Sequence, residues 1–293
     1  MKKLPRMMPA LVTPFDEPGD IDFEAHAHNV AFLESKGVEG LLLCGSTGEG
    51  PYIDPGERRQ LVEATRELTD DVFLLCGVAA QSVRQAIAQV VEAAEGGADA
   101  ALVMTPTTMA RTRPDAVAAF YRTLEAAAPL PLLLYSVPAV TAFELTVEDA
   151  VSLAARPNIV GMKDSGGQPV RVQQIVGSSP DFHVFAGASA AVALSVAAGG
   201  HGAITASANY APTLVREVVD AARKGLDKAA EAQERLAGLS RLVDTRGVPG
   251  VKLAAEIAGL RPGLPRLPLQ PLSSDEASTV SRQLEALKGQ LLG

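Results

Sequence analysis

Lys163 stands in the segment PNIVGMKDSGG (157–167), where Ile159, Val160 and Met162 read as a buried strand and Asp164-Ser165-Gly166-Gly167 as its exit into a loop. Burying an ammonium without a partner is expensive, and the common escape is a pKa lowered until the amine is neutral. A neutral amine is a nucleophile toward carbonyls. The competing reading is a lysine that points to solvent or pairs with a carboxylate, since many perturbed charges are structural. Two further segments could do chemistry. CGSTGEG (44–50) offers the hydroxyls of Ser46 and Thr47 on a glycine-rich turn with free backbone N–H groups. That is a nest for a carboxylate or phosphate, or else an ordinary strand-to-helix turn. It lacks the Gly-Lys-Ser/Thr ending of a nucleotide-binding loop. YSVP (135–138) presents Tyr135, either a core tyrosine with its hydroxyl at the surface or a proton relay close to a reacting atom.

Short apolar runs must position these groups. They recur at 8–15, 38–44, 72–78, 100–106, 131–137, 158–164, 182–187 and 202–207. Amphipathic stretches alternate with them, such as SVRQAIAQVVEAAEGG, with Val83, Ile87, Val90 and Val91 at helical spacing and a Gly-Gly stop. Near-continuous apolar strands alternating with helices predict a parallel sheet covered on both faces. Eight units in about 210 residues predict an α/β fold of the (β/α)8 TIM barrel type. An open doubly wound sheet competes, but no Gly-x-Gly-x-x-Gly follows the first strand. The barrel is expected over 1–211, with the catalytic groups at the C-terminal strand ends. Residues 212–293 are expected to form a helical C-terminal extension, interrupted by the proline-rich stretch GLRPGLPRLPLQPL (259–272). Such a layer serves equally as an oligomer interface.

Composition narrows the partners. The 293 residues are 47% hydrophobic and 20% charged, enough for a large core and unlike a disordered chain. A net charge of −8 without a basic patch argues against nucleic acid. MKKLPRMMPALVTPF lacks the continuous apolar region of a signal peptide, and no apolar run approaches the ~20 residues that span a bilayer. A soluble, cytoplasmic protein with no membrane partner is expected, its two cysteines, Cys44 and Cys76, reduced. His26, His28, His183 and His201 show no metal-ligand spacing, so no metal is expected. His26 and His28 read as helix-surface or cap residues and His201 as a turn residue.

Taken together, GSTGE, YSVPA and GMKDSGG, in this order at these strand ends, resemble the N-acetylneuraminate lyase and dihydrodipicolinate synthase superfamily of pyruvate-type class I aldolases. The resemblance runs from the first strand to the C-terminal helices, and GGHGAITASAN (199–209) fits it. It implies that Lys163 forms a Schiff base with the C2 carbonyl of a 2-oxo acid and that Tyr135 shuttles the proton. Ser46 and Thr47 would hold the substrate carboxylate, and the carbonyl of Ile204 would lie near the bound acid. It further implies pyruvate and an aldehyde as small-molecule partners, no cofactor, and a homo-oligomer, tetramer or dimer.

Two departures bear on the aldehyde. The synthase branch has an arginine five residues after the tyrosine to grip a carboxylate; here that position is Val140. It also has a tyrosine shortly after the Thr-Pro of strand four, lent across a dimer interface, where TPTTMART offers Thr107 and Thr108. Arg111 and Arg113 are candidates to replace the missing grip. LLYSVPA and PNIVGMKDSGG look most like the 4-hydroxy-2-oxoglutarate aldolase branch, and GVPGVK (247–252) agrees. Ser165 would then contact the substrate hydroxyl. The expected function is cleavage or formation of 4-hydroxy-2-oxo acids. Dihydrodipicolinate synthase or a sugar-acid lyase or dehydratase is the alternative; from another class, a non-catalytic 2-oxo-acid sensor competes.

Overall fold

Side chains alternate across a strand, and in this chain both faces of every strand meet apolar material. The computed structural model describes residues 2–110 and 112–287. Its eight parallel strands are β1 (Met7–Pro9), β2 (Gly40–Leu43), β3 (Phe73–Val78), β4 (Ala100–Met104), β5 (Leu132–Ser136), β6 (Ile159–Asp164), β7 (His183–Ala186) and β8 (Gly202–Thr205), in the order β1-β8-β7-β6-β5-β4-β3-β2. A bridge between Ala10 and Leu42 joins the two ends of that order and closes the ring. Leu42, Leu75, Leu102, Leu133, Phe185 and Ile204 fill the interior. Leu43, Cys76, Val103, Leu134 and Met162 face outward against helices. The protein is a (β/α)8 TIM barrel.

The helices are α1 (Phe23–Ser35), α2 (Glu57–Leu68), α3 (Val83–Glu95), α4 (Pro114–Ala127), the short α5 (Pro138–Thr141), α6 (Val147–Ala154), α7 (Pro169–Ser178), α8 (Val192–Ala197), α9 (Pro212–Ala222), α10 (Leu226–Val243), α11 (Gly247–Ala258) and α12 (Ser274–Ala286). Local chemistry sets their ends. Ser82 caps α3 by accepting from the Gln85 N–H, and Ser273 and Glu276 form a reciprocal capping box on α12. The helix after β8 is α9, so the barrel's last unit runs past the boundary expected at 211, to Ala222. Helical periodicity continues across the Lys224-Gly225 break, which hides that division in the sequence. Leu236, Leu239 and Val243 of α10 share one apolar cluster with Val192 and Tyr210 of the barrel.

β1 ends at Pro9, short of the expected 15. Pro9 and Pro14 bring no N–H to a ladder, and residues 10–15 run instead as a buried loop. Asn209 holds that loop, donating to the Ala10 carbonyl at 2.7 Å and accepting from the Val12 N–H at 3.1 Å. His26 is not at the helix surface as expected. It is 1% exposed, with Nε2 2.7 Å from Thr65 Oγ1 on α2. Among the described residues, no helix is long and apolar enough to cross a membrane.

Candidate active site at the C-terminal mouth of the barrel

Parallel register brings the first two groups together. Tyr135 of β5 pairs with Lys163 of β6, and Lys163 in turn with Phe185 of β7, so Tyr135 and Lys163 share the interior face. The Lys163 Nζ stands 4.6 Å from the centroid of the Tyr135 ring. Lys163 is 4% exposed, and no carboxylate among the described residues lies within ion-pair distance of it. The adjacent Asp164 points through the other face of the sheet, where it accepts from Arg171 Nε at 2.6 Å. Alternation along one strand thus removes the nearest carboxylate from the amine. The solvent-facing and ion-paired readings of Lys163 both fail on this geometry.

Ser46 follows β2 and donates to the Tyr135 hydroxyl oxygen at 3.4 Å. Burial by itself raises the Tyr135 phenol; the neighbouring Lys163 amine and hydrogen bonding to Ser46, Ser165 and Lys163 outweigh it and hold the phenol below its ordinary value. Ser46, Thr47, Tyr135, Lys163 and Ser165 all line one cavity of about 650 Å³. Ile204 does not line it; its side chain fills the barrel interior below, in the cluster that contains Tyr135. Arg113 does not line it either. Its guanidinium is exposed and pairs with Asp115 at 2.8 Å, so the expected carboxylate grip is absent there. Arg111 lies outside the described residues. Thr107 and Thr108 give their N–H groups to Gln81 Oε1 at 3.0 and 2.8 Å, away from the cavity.

The glycine-rich turn owes its shape to features that motif reading passed over. Cys44 takes a left-handed φ of 51°, and Glu49 one of 58°. The Cys44 carbonyl is pressed so closely that a Cβ on Gly50 or Gly77 would come within 2.0 or 2.1 Å of it. Glu49 is fully buried, with Oε1 2.8 Å from Lys252 Nζ of α11 and Oε2 accepting from the Arg266 N–H at 2.7 Å. Lys252 also donates to the carbonyls of Thr13 at 2.8 Å and Leu264 at 2.5 Å. Burial lowers the Lys252 amine and the Glu49 charge opposes that shift. Within the turn, Glu49 and Gly50 direct their N–H groups to Ser46 and Gly45 carbonyls, whereas those of Ser46 and Thr47 have no acceptor among the described residues. Two free N–H groups beside two hydroxyls are the donor set that could hold an anion.

Gly187, at the exit of β7, is a second omission. A Cβ there would lie 2.1 Å from Ser165 Oγ and 3.0 Å from Lys163 Cε, so only glycine leaves room for both side chains. The third is the extension itself. Ser240, Arg241, Asp244 and Val248 close one side of the cavity. Asp244 accepts from the Tyr210 hydroxyl at 2.8 Å and from Ser189 Oγ at 3.0 Å, and burial raises its carboxyl. Of the extension, the sequence offered only GVPGVK (247–252), as part of the resemblance and with no site residue assigned; packing brings Gly247, Val248 and Val251 to the cavity.

The sequence profile of the dihydrodipicolinate synthetase family matches residues 3–287. The chain belongs to that family. Among curated dihydrodipicolinate synthetase relatives, 4-hydroxy-tetrahydrodipicolinate synthase of Methanosarcina mazei is 33% identical over 285 residues, covering 96% of this chain and 97% of its own. The enzyme of that name from Archaeoglobus fulgidus is 33% identical over 288 residues, covering 96% and 98%. Solved family structures superpose closely. Dihydrodipicolinate synthase from Aquifex aeolicus gives a TM-score of 0.90 at 27% identity over 98% of this chain and 99% of its own. A prophage protein of the family from E. coli K12, YagE, solved with pyruvate, gives 0.89 at 27% identity over 96% and 98%. The dihydrodipicolinate synthetase family consists of class I aldolase-type lyases, and this chain is such an enzyme. These curated relatives carry the synthase name and not that of the 4-hydroxy-2-oxoglutarate aldolase branch, which shifts the weight away from the branch that the strand-end motifs suggested.

Proposed function

We propose that this enzyme joins pyruvate to an aldehyde, or releases the two from their adduct, through a Schiff base on Lys163. The observation that carries the reading is a buried lysine with no carboxylate partner, set against a tyrosine ring at a cavity mouth. The amine attacks the C2 carbonyl of the 2-oxo acid, and the oxygen leaves as water to give an iminium. The Ser46 and Thr47 hydroxyls and N–H groups hold the carboxylate, which fixes the ketone against the amine. Loss of a C3 proton gives the enamine, whose C3 adds to the aldehyde carbon while Tyr135 hands a proton to the new alkoxide. Water then hydrolyses the iminium and frees the lysine. In the cleavage direction Tyr135 takes the C4 hydroxyl proton, the C3–C4 bond breaks, and the electrons pass into the iminium. A phenol held below its ordinary value suits both directions. Ser165 lines the same cavity as Lys163, which supports a contact with the hydroxyl at C4.

For the aldehyde, the names of the relatives support aspartate semialdehyde, the reading as 4-hydroxy-tetrahydrodipicolinate synthase. The 4-hydroxy-2-oxo acid aldolase is the second reading, supported by Val140 at the position where the synthase pattern has arginine. The E. coli relative solved with pyruvate supports the shared donor. Treatment with pyruvate and borohydride followed by intact-mass and peptide mass spectrometry tests the core claim. A reduced pyruvyl adduct on Lys163, absent in Lys163→Ala, is expected, and an unmodified Lys163 overturns it. Steady-state comparison of aspartate semialdehyde with glyoxylate ranks the two aldehydes.

A further inference from the structure

Two cations and two carboxylates line the cavity: Lys163, Arg241, Glu49 and Asp244. Three of the four have an assignment. Lys163 sits over Tyr135, Glu49 is tied to Lys252, and Asp244 accepts from Tyr210 and Ser189. Arg241 is the remainder. It lies in the last turn of α10, on the same helical face as Asp244 and Thr245 of the following 3-10 turn, which also line the cavity. Its guanidinium has no ion pair or hydrogen-bond acceptor among the described residues; only its backbone carbonyl is engaged, by Thr245 Oγ1 at 2.8 Å. The segment after β5 contributes Val137 and Val140 to the same cavity, the latter 63% exposed.

A cavity with donors for one carboxylate near Lys163, and an unpaired guanidinium at its rim, suits a ligand with two acidic ends. We propose that Arg241 recognises a distal carboxylate on the substrate, so that the C-terminal extension, and not the loop after β5, selects an acidic aldehyde. A guanidinium fork matches a carboxylate bidentately and discriminates strongly against an uncharged end. Asp244, one turn on, is not paired with Arg241: its two oxygens accept from the Tyr210 and Ser189 hydroxyls, which leaves the guanidinium's own donors open to a ligand. The inference rests on the Schiff-base reading and adds to it the chemical class of the second substrate. It accommodates either aldehyde considered above, since both carry a carboxylate, and it explains how Val140 can stand where an arginine is expected.

The test compares two ligands of equal chain length, 2-oxoglutarate and 2-oxopentanoate, which share the 2-oxo acid end and differ in the distal carboxylate. The dissociation constants are measured by titration calorimetry on the full chain. The wild type is expected to prefer 2-oxoglutarate, and Arg241→Met to reduce that preference roughly 10- to 100-fold, the range of a charged hydrogen-bonded pair. Arg241→Lys should restore part of it. Because the readout is a ratio between two ligands, a general loss of folding or of the nest does not imitate it. A wild type without preference, or a preference unchanged in Arg241→Met, overturns the proposal. The pyruvate–borohydride adduct of the wild type separates the layers. An adduct with an unchanged ratio sinks Arg241 alone, whereas no adduct sinks the Schiff-base reading and this inference with it.

Discussion

Two lysines are buried to nearly the same depth and serve opposite ends. Lys163 is 4% exposed and Lys252 3%, and each faces an aromatic ring, Tyr135 at 4.6 Å and Phe15 at 5.0 Å. Lys252 is enclosed by the Glu49 carboxylate and two backbone carbonyls, so its charge is answered on three sides. Lys163 has a phenol, hydroxyls and open cavity. Burial alone therefore does not mark a reactive amine. What separates the two is whether the surroundings supply negative charge. Lys252 ties α11 to the glycine-rich turn, while Lys163 has no carboxylate partner among the described residues, as the proposed nucleophile requires.

The contrast is tested first by removing each amine. Lys163→Met should cut turnover by on the order of 1,000-fold or more, since the nucleophile itself is gone. Its urea midpoint should stay the same or rise, because no buried partner is stranded. Lys252→Met should do the reverse, costing about 3–5 kcal/mol of stability by leaving Glu49 buried and unanswered. Urea denaturation reads this directly, and a stable Lys252→Met chain would end the distinction between strut and nucleophile. Glu49→Gln combined with Lys252→Met should recover part of the loss.

Tyr135→Phe sharpens the active-site side. It should lower kcat by about 100-fold, the lower end of what a placed acid–base group supplies, with much less effect on pyruvate affinity. Equal losses in both would reduce Tyr135 to a wall of the pocket.

The smallest effect comes from a buried base that lacks any opposite charge. Burial lowers His26 from 6.5 to about 4. The native imidazole stays neutral while the unfolded one takes up a proton below pH 6.5, so stability is complete above that value and falls as pH drops toward 4. Between pH 7 and pH 5 the loss attributable to His26 should be about 2 kcal/mol. His26→Gln should flatten that part of the stability profile. An identical slope in both proteins would contradict it.

The proposed catalytic pair was legible because a strand leaves a local signature. A lysine in an apolar run and a tyrosine at the end of another need only the barrel's parallel register to meet. The same locality exposed the nest residues Ser46 and Thr47 and the glycine-rich turn around them. Gly187 was not legible, since glycine at a strand exit has many causes, and only the 2.1 Å approach to Ser165 gives the reason here. Arg113 misled because proximity along the chain to strand four says nothing about which way a loop residue turns.

Periodicity and residue type by themselves determined the eight β/α units, the placing of Lys163 and Tyr135 at strand ends and the glycine-rich turn at 45–50, because each depends on contacts between near neighbours in the chain. Tertiary packing alone decided that α10 and α11 complete the cavity, that Glu49 meets Lys252 across some two hundred residues of chain, and that Arg241 stands at the rim. Such long-range pairings depend on how helices with similar apolar faces dock on the barrel, and those faces look alike in sequence whichever surface they cover.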